Sequence, residues 1–233
     1  MRALGGIGDV LTAVPALARL RALYPQARIT WIGLPKVERV VMRYTGLVDR
    51  FVAFPGFPGI PEHPFEARRL HDFLERLRGN ARFDLCLQMH GSGSVSNVFA
   101  ALLGAQRTTG YFIPGLWCPD ATDYSEFPNA LSEVERWTGL VARLGTRTAS
   151  APRFPVHEAE RWALSELAPG LDQKDYAVVH AGASDPTRRW PTDHFAVVAD
   201  RLARDGLRIV LTGTPDECAI VKDVAQAMTA AAL

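Results

Sequence analysis

The chain reads as a doubly wound parallel α/β protein, and three observations predict it. Short strand-type runs alternate with segments of helical apolar spacing along almost all of its 233 residues. Small-residue turns follow strand-type runs at Gly5-Gly6-Ile7-Gly8-Asp9, His90-Gly91-Ser92-Gly93-Ser94 and Gly182-Ala183-Ser184. In open sheets of this kind, ligands collect beyond the carboxyl ends of the strands. Residues 145–155, GTRTASAPRFP, then replace the apolar period with small, polar and proline residues, and so divide the chain into lobes 1–150 and 151–233.

The elements follow in order. Arg2, Ala3 and Leu4 read as the end of a first strand, unusually short for a central one, so a start upstream of Met1 is expected. Val10, Leu11, Val14, Leu17 and Leu20 recur at helical spacing, and Pro15 either kinks that helix or marks its first turn. Asp9 therefore falls at or just before a helix N-terminus. Strands are predicted at 28–32, 50–54, 83–87 and 107–112, with helices at 36–44, 65–77 and 96–103. Residues 114–128 read as irregular and 131–144 as a helix. Beyond the linker, helices at 158–167, 191–204 and 216–228 flank strands at 176–179 and 207–211. The tryptophans Trp31, Trp117, Trp137, Trp162 and Trp190 read as core or interface anchors.

Composition narrows the function classes. A net charge of +1 supplies no basic face for nucleic acid. Cys86, Cys118 and Cys218 are far apart and odd in number, so neither a disulfide framework nor a zinc site is indicated, and a reducing cytoplasm fits. No tripartite leader opens the chain and no apolar run is long enough to span a bilayer. Neither metal nor cofactor is expected, since D-x-D and G-x-G-x-x-G are both missing.

The stretch YAVVHAGASDPTRRWP, 176–191, carries the sharpest chemistry. A strand opens into Gly182, Ala183 and Ser184, whose small side chains let main-chain N–H groups approach a ligand, and Arg188 and Arg189 add fixed positive charge before a helix start at Pro191. That combination suits a phosphate or diphosphate, and equally an ordinary βα connection with two solvated arginines. His90 with Gly91 lies where an acidic or sugar ligand would bind, but also reads as a polar loop residue. His180 reads as structural.

Three separated segments together resemble glycosyltransferase family 9, the ADP-heptose:lipopolysaccharide heptosyltransferase family. They are LGGIGDVLTAVPALARLRALYPQARITWI, DLCLQMHGSGSVSNVFAALLGAQRTTGY and HAGASDPTRRWPTDHFAVVADRLARDGLRIVLTGTPDE, in family order over almost the whole chain. The resemblance implies a GT-B-like fold of two Rossmann-like lobes, 1–150 binding the acceptor and 151–233 the nucleotide sugar. It also implies inverting transfer of a heptose or related sugar from ADP-heptose to a lipopolysaccharide-core-type acceptor. A cytoplasmic location follows, with peripheral contact to the inner membrane.

The resemblance also distributes roles. Asp9 matches the aspartate of the family's G-D motif and becomes the candidate base, although the residue by itself reads as a helix cap. Arg188 stands where the family places a phosphate-binding lysine, and arginine keeps the charge with a bidentate grip. Gly182, Ala183 and Ser184 form the diphosphate loop. Glu217 matches the residue that contacts ribose hydroxyls, and reads equally as a first-turn charge. His90 and Gly91 fall to the acceptor side. The family's D-T-G-x-x-H segment is missing, and only two strands follow the linker, so the C-terminal lobe is expected to be incomplete and the chain a truncated member. A non-catalytic fragment or a glycan- or nucleotide-binding module is the alternative function, and a sugar-nucleotide epimerase a third that the Asp9 motif disfavours.

Overall fold

The computed structural model describes residues 1–79, 82–171, 175–183 and 185–233, in two compact units, Met1–Pro155 and Val156–Leu233. Every strand pairing between named strands is parallel.

In the first unit, β1 (Thr30–Gly33) pairs with β2 (Arg50–Ala53), and β3 (Leu85–Leu87) with β4 (Arg107–Phe112), which also pairs with β5 (Tyr124–Glu126). The chain start joins the two sheets. The Arg2 N–H donates to Ile32 O at 3.0 Å, the Met1 amino group to Leu87 O at 2.7 Å, and the Met89 N–H to Met1 O at 2.9 Å. The first strand expected at residues 2–4 is thus a two-residue seam and not a regular strand. A cavity of about 580 Å³ bordered by Met1, Trp31, Ile32, Leu85 and Leu87 lies along the same seam.

Helices cover both faces of these sheets. Trp31 and Ile32 are successive residues on β1, so their side chains point to opposite sides. Trp31 joins Val10, Leu17, Val41, Trp137 and Leu140, which belong to α1 (Ile7–Leu11), α2 (Val14–Leu23), α3 (Glu38–Val41) and α6 (Glu133–Ala142). Ile32 joins Phe54, Phe73, Leu77 and Phe99, the last three on α4 (Ala67–Gly79) and α5 (Ser96–Leu102). Phe99 is fully buried, its ring 5.0 Å from Phe54 and 5.4 Å from Phe57, and such burial stabilises by about 1.5–3 kcal/mol. Two apolar clusters on opposite sides of one seam are the physical content of a doubly wound sheet.

Local chemistry sets the ends. Ser132 and Glu135 exchange a capping box at the start of α6: the Ser132 N–H donates to Glu135 Oε2 at 2.9 Å and the Glu135 N–H to Ser132 Oγ at 3.3 Å. Pro15 occupies the second position of α2, so the periodic stretch breaks at Thr12 and Ala13 into two helices. Asp9 consequently sits inside the first turn of α1 rather than ahead of it. Strand β5 lies in the region expected to be irregular; three residues carry no period, and only pairing with Gly110–Phe112 defines them. Of the tryptophans, Trp31 and Trp137 are core, whereas Trp117, Trp162 and Trp190 are about half exposed or more.

The second unit holds α7 (Glu158–Leu167), β6 (Tyr176–His180), α8 (Thr192–Arg204), β7 (Arg208–Thr212) and α9 (Cys218–Ala227). Ala232 bridges Ile209, so the last residues run beside β7. Asp200 on α8 anchors them by accepting the N–H groups of Thr229 and Ala230 at 3.0 and 2.9 Å. These bonds hold its carboxyl below the usual range. No helix among the described residues is long and apolar enough to cross a membrane.

Candidate functional site

Each unit carries candidate site residues of its own at the carboxyl ends of its strands. In the first, Asp9 is partly exposed, its side chain 38% accessible, so the carboxylate is open to a ligand. Asp9 Oδ2 accepts the Gly6 N–H at 2.9 Å, which fixes its rotamer across the glycine turn. Gly5 packs flush against the Lys36 side chain, where any Cβ would overlap the Lys36 ammonium. A lysine thus flanks the Asp9 turn.

The His90 loop is tied to the same place. The Arg2 side chain, 2% exposed, donates from Nε to Asp9 O at 2.8 Å and from Nη1 to Met89 O at 2.9 Å, so one guanidinium holds the backbone of both turns. The His90 N–H donates to Gln88 Oε1 at 2.5 Å, and His90 O accepts from Ser96 Oγ at 2.7 Å. His90 Nε2 lies 3.7 Å from Glu62 Oε1, while its buried Nδ1 has no hydrogen-bond partner. Burial depresses the His90 pKa despite the neighbouring Glu62 carboxylate, so the ring is neutral at physiological pH. Gly91 is exposed with φ of +58°, and nothing crowds its missing side chain.

Gly93 is the rigid point of this loop. Its φ is +92°, and a Cβ there would overlap Tyr111 O and the Asn97 side chain. Asn97 is fully buried, bonded to Gln88 and to Tyr111 O at 2.9 Å each, so it has nowhere to move. Gly93→Ala is therefore expected to cost about 2 kcal/mol, a fall in Tm of roughly 4–8 °C by calorimetry.

In the second unit, β6 ends at His180 and the chain opens into Gly182 and Ala183; Ser184 lies outside the described residues. A single 3₁₀ turn, Pro186–Arg188, follows and is capped by Asp185 Oδ1, which accepts the Thr187 N–H at 2.9 Å. Arg188 closes that turn and is exposed. Arg189 bonds from Nε back to Ala183 O at 2.9 Å and so pins the loop. Glu217 is 8% exposed and packs against Gly182, where any side chain would overlap its carboxylate. Glu217 Oε2 accepts the Thr214 N–H at 2.8 Å and stands 3.7 Å from His180 Nε2. The Thr214 hydrogen bonds, with His180 and Arg189 nearby, hold this carboxyl below the usual range.

The structure thus brings Asp9, His90 and Gly91 to one place in the first unit, and Gly182, Ala183 and Glu217 to one place in the second, with Arg188 on the same loop as Gly182. Arg2, Lys36, Glu62 and Glu133 contact these turns or their supports and were missed by sequence reasoning. No local motif marks them, because each reaches the site through tertiary contact. Among the described residues, no group of three or more His, Cys, Asp or Glu could hold a metal ion.

Comparison with solved structures places the fold. The glycosyltransferase family 9 structure from Veillonella parvula matches with a TM-score of 0.74 and 21% identity over 98% of this chain and 66% of that one. Escherichia coli ADP-heptose lps heptosyltransferase II matches at a TM-score of 0.65 and 20% identity, covering 98% of this chain and 69% of that one. E. coli heptosyltransferase WaaC, solved with ADP-2-deoxy-2-fluoro heptose, matches at 0.60 and 20%, covering 97% and 73%. This chain therefore spans about two thirds of the length of the structures it resembles. No curated protein gives a significant sequence match. The family model of glycosyltransferase family 9 (heptosyltransferase) matches residues 70–233, a span that holds His90, the Gly182 loop and Glu217 but begins after Asp9. With that match across more than half its length, the chain belongs to glycosyltransferase family 9.

Proposed function

We propose that the protein is an inverting glycosyltransferase that moves a heptose or related sugar from ADP-heptose to a lipopolysaccharide-core-type acceptor. It would act in the cytoplasm, with peripheral contact to the inner membrane. The observation that carries this reading is Asp9: a carboxylate one third exposed, fixed by the Gly6 N–H at the carboxyl end of the sheet, in a chain of this family. In a single displacement at the anomeric carbon the acceptor hydroxyl loses its proton as it attacks, and Asp9 takes it. The departing diphosphate needs cationic and amide donors, which Arg188 and the Gly182-Ala183-Ser184 loop offer. His90 and Gly91 border the acceptor, in lobe 1–150, and Glu217 orients the nucleotide loop in lobe 151–233.

The buried, capping position of Glu217 favours an indirect role, with its carboxylate holding Gly182 and Thr214 so that the loop backbone faces the nucleotide. A module that binds nucleotide without turnover is the second reading, favoured by a family match that holds the Gly182 loop and Glu217 but begins after Asp9.

Isothermal titration with ADP and an ADP-release assay with ADP-heptose and a core acceptor separate the two. Acceptor-dependent release that disappears in Asp9→Asn supports the transferase; binding without release supports the module; no binding of ADP overturns both. Arg188→Ala is expected to weaken ADP about tenfold or more, the usual loss for a charge-assisted hydrogen bond. An unchanged Kd would remove Arg188 from the site.

A further inference from the structure

One nitrogen of Arg2 serves two carboxylates. Arg2 Nη2 donates to Glu133 Oε2 at 2.8 Å and stands 3.8 Å from Asp9 Oδ1, beyond hydrogen-bond reach. We propose that Glu133 is a positioning residue for the transfer reaction: by holding the Arg2 charge, it keeps Asp9 out of a closed ion pair and leaves that carboxylate free to meet the acceptor's proton. The inference rests on the reading of Asp9 as the base.

The geometry is fixed from both sides. Arg2 cannot swing, because its Nε and Nη1 are bonded to Asp9 O and Met89 O and its guanidinium lies 5.1 Å from the Trp137 ring centroid. Its Nη2 is also within 3.3 Å of Thr12 Oγ1. Glu133, at the first position of α6, is held in turn: Trp137 Nε1 donates to Oε2 at 2.8 Å, and Arg136 Nη1 bonds Oε1. Burial alone would raise the Glu133 pKa, but the Arg2 and Trp137 hydrogen bonds hold it below the usual carboxylate range, so it is ionised wherever the enzyme works.

The other charges around Asp9 do not substitute for it. Lys36 beside Gly5 is positive, like Arg2, and burial lowers the pKa of the Met1 amino group. His90 is neutral, and Glu62 faces His90 rather than Arg2. Arg136 reaches Asp9 only through Glu133. Glu133 is therefore the one carboxylate, among the described residues, paired with the cation that faces the base.

The sign follows. Glu133→Gln keeps the shape and an oxygen for Arg2 and Trp137 but removes the charge. The full positive field of Arg2 then falls on Asp9, draws that carboxylate into the ion pair and opposes its taking a proton from the acceptor. The acid limb of the kcat/KM profile for ADP release is expected to move down by about one pH unit, and kcat to fall about tenfold, with the ADP Kd unchanged. Glu133→Asp should return towards the parent profile. Arg136→Gln releases Glu133 to hold Arg2 harder, and is expected to move the limb the opposite way.

Shifts of opposite sign are not produced by a merely structural role, which lowers active protein without moving the limb. If Asp9→Asn is inactive and neither Glu133→Gln nor Arg136→Gln moves the limb, the inference is overturned while the base assignment stands. If Asp9→Asn keeps its turnover, the base assignment fails and this inference with it. Should Glu133→Gln fold poorly by circular dichroism, the Arg136→Gln limb decides.

Discussion

Asp9→Asn is expected to lower acceptor-dependent ADP release by about 10²–10⁴-fold, the usual contribution of a general base, while leaving the ADP Kd and the melting temperature close to those of the parent. Three observations fix that pattern. The side chain is 38% exposed, so no core packing is lost. The one direct hydrogen bond found for its carboxylate, from the Gly6 N–H, can be accepted by the asparagine carbonyl oxygen, and the helix start is retained. Both backbone bonds that locate the turn, from Arg2 Nε to Asp9 O and from the Thr12 N–H to Gly8 O, are independent of the side chain.

What changes is the carboxylate's charge, which faces Arg2 at 3.8 Å, and with it the capacity to take a proton. An activity loss without a stability loss, measured by coupled ADP release beside calorimetry, is the signature of chemistry. Asp9→Ala should lose the same activity and in addition about 1 kcal/mol from the missing cap. Turnover unchanged in Asp9→Asn would remove the base from the mechanism. If an equal drop in Tm accounted for the lost activity, Asp9 would be reduced to a helix cap.

Much of this site was legible in the sequence because turn chemistry is local. Glycines and an aspartate after a strand-type run mark the Asp9 turn, and Gly91 and Gly93 with positive φ mark the His90 loop, whatever lies elsewhere in the chain. The alternation of elements was legible for the same reason, since a 3.6-residue period needs only one helix to be read. The failures share a cause too. Strand β5 exists through its pairing with β4, and the chain start through its bonds to Ile32 and Leu87; neither carries a period of its own.

Arg2 and Glu133 are 131 residues apart, and nothing in the sequence near either announces the pair. Glu62 reaches His90 in the same silent way. The exposure of Trp117, Trp162 and Trp190 has the same root: apolar character predicts burial only when a neighbouring surface exists to bury against. Local chemistry therefore marks the turns that carry the candidate residues, and misses the side chains that hold those turns in place.

The largest stability effect follows from that missed layer. Arg2→Ala is expected to destabilise the first unit by about 2–4 kcal/mol, from the loss of the hydrogen bonds of one buried guanidinium; its carboxylate partner Glu133 is 40% exposed and keeps access to water. The side chain is 2% exposed and satisfies four acceptors at once: Asp9 O, Met89 O, Thr12 Oγ1 and the Glu133 carboxylate. Its loss takes the guanidinium donor from Met89 O, leaves Asp9 O with the Thr12 hydroxyl at 3.1 Å, and removes the cation over the Trp137 ring. The Arg2 N–H would still bond Ile32 O, so the seam between the sheets keeps one of its own links.

Arg2→Lys should recover only part of the loss, because an ammonium on a flexible stem cannot reproduce a planar fork that spans both turns. Urea titration followed by tryptophan fluorescence is a direct measure, since Trp137 lies against the substituted side chain. A loss below about 1 kcal/mol for Arg2→Ala would mean that the turns carrying Asp9 and His90 are held by the sheet alone. The loss predicted here instead makes this one guanidinium the common support of both.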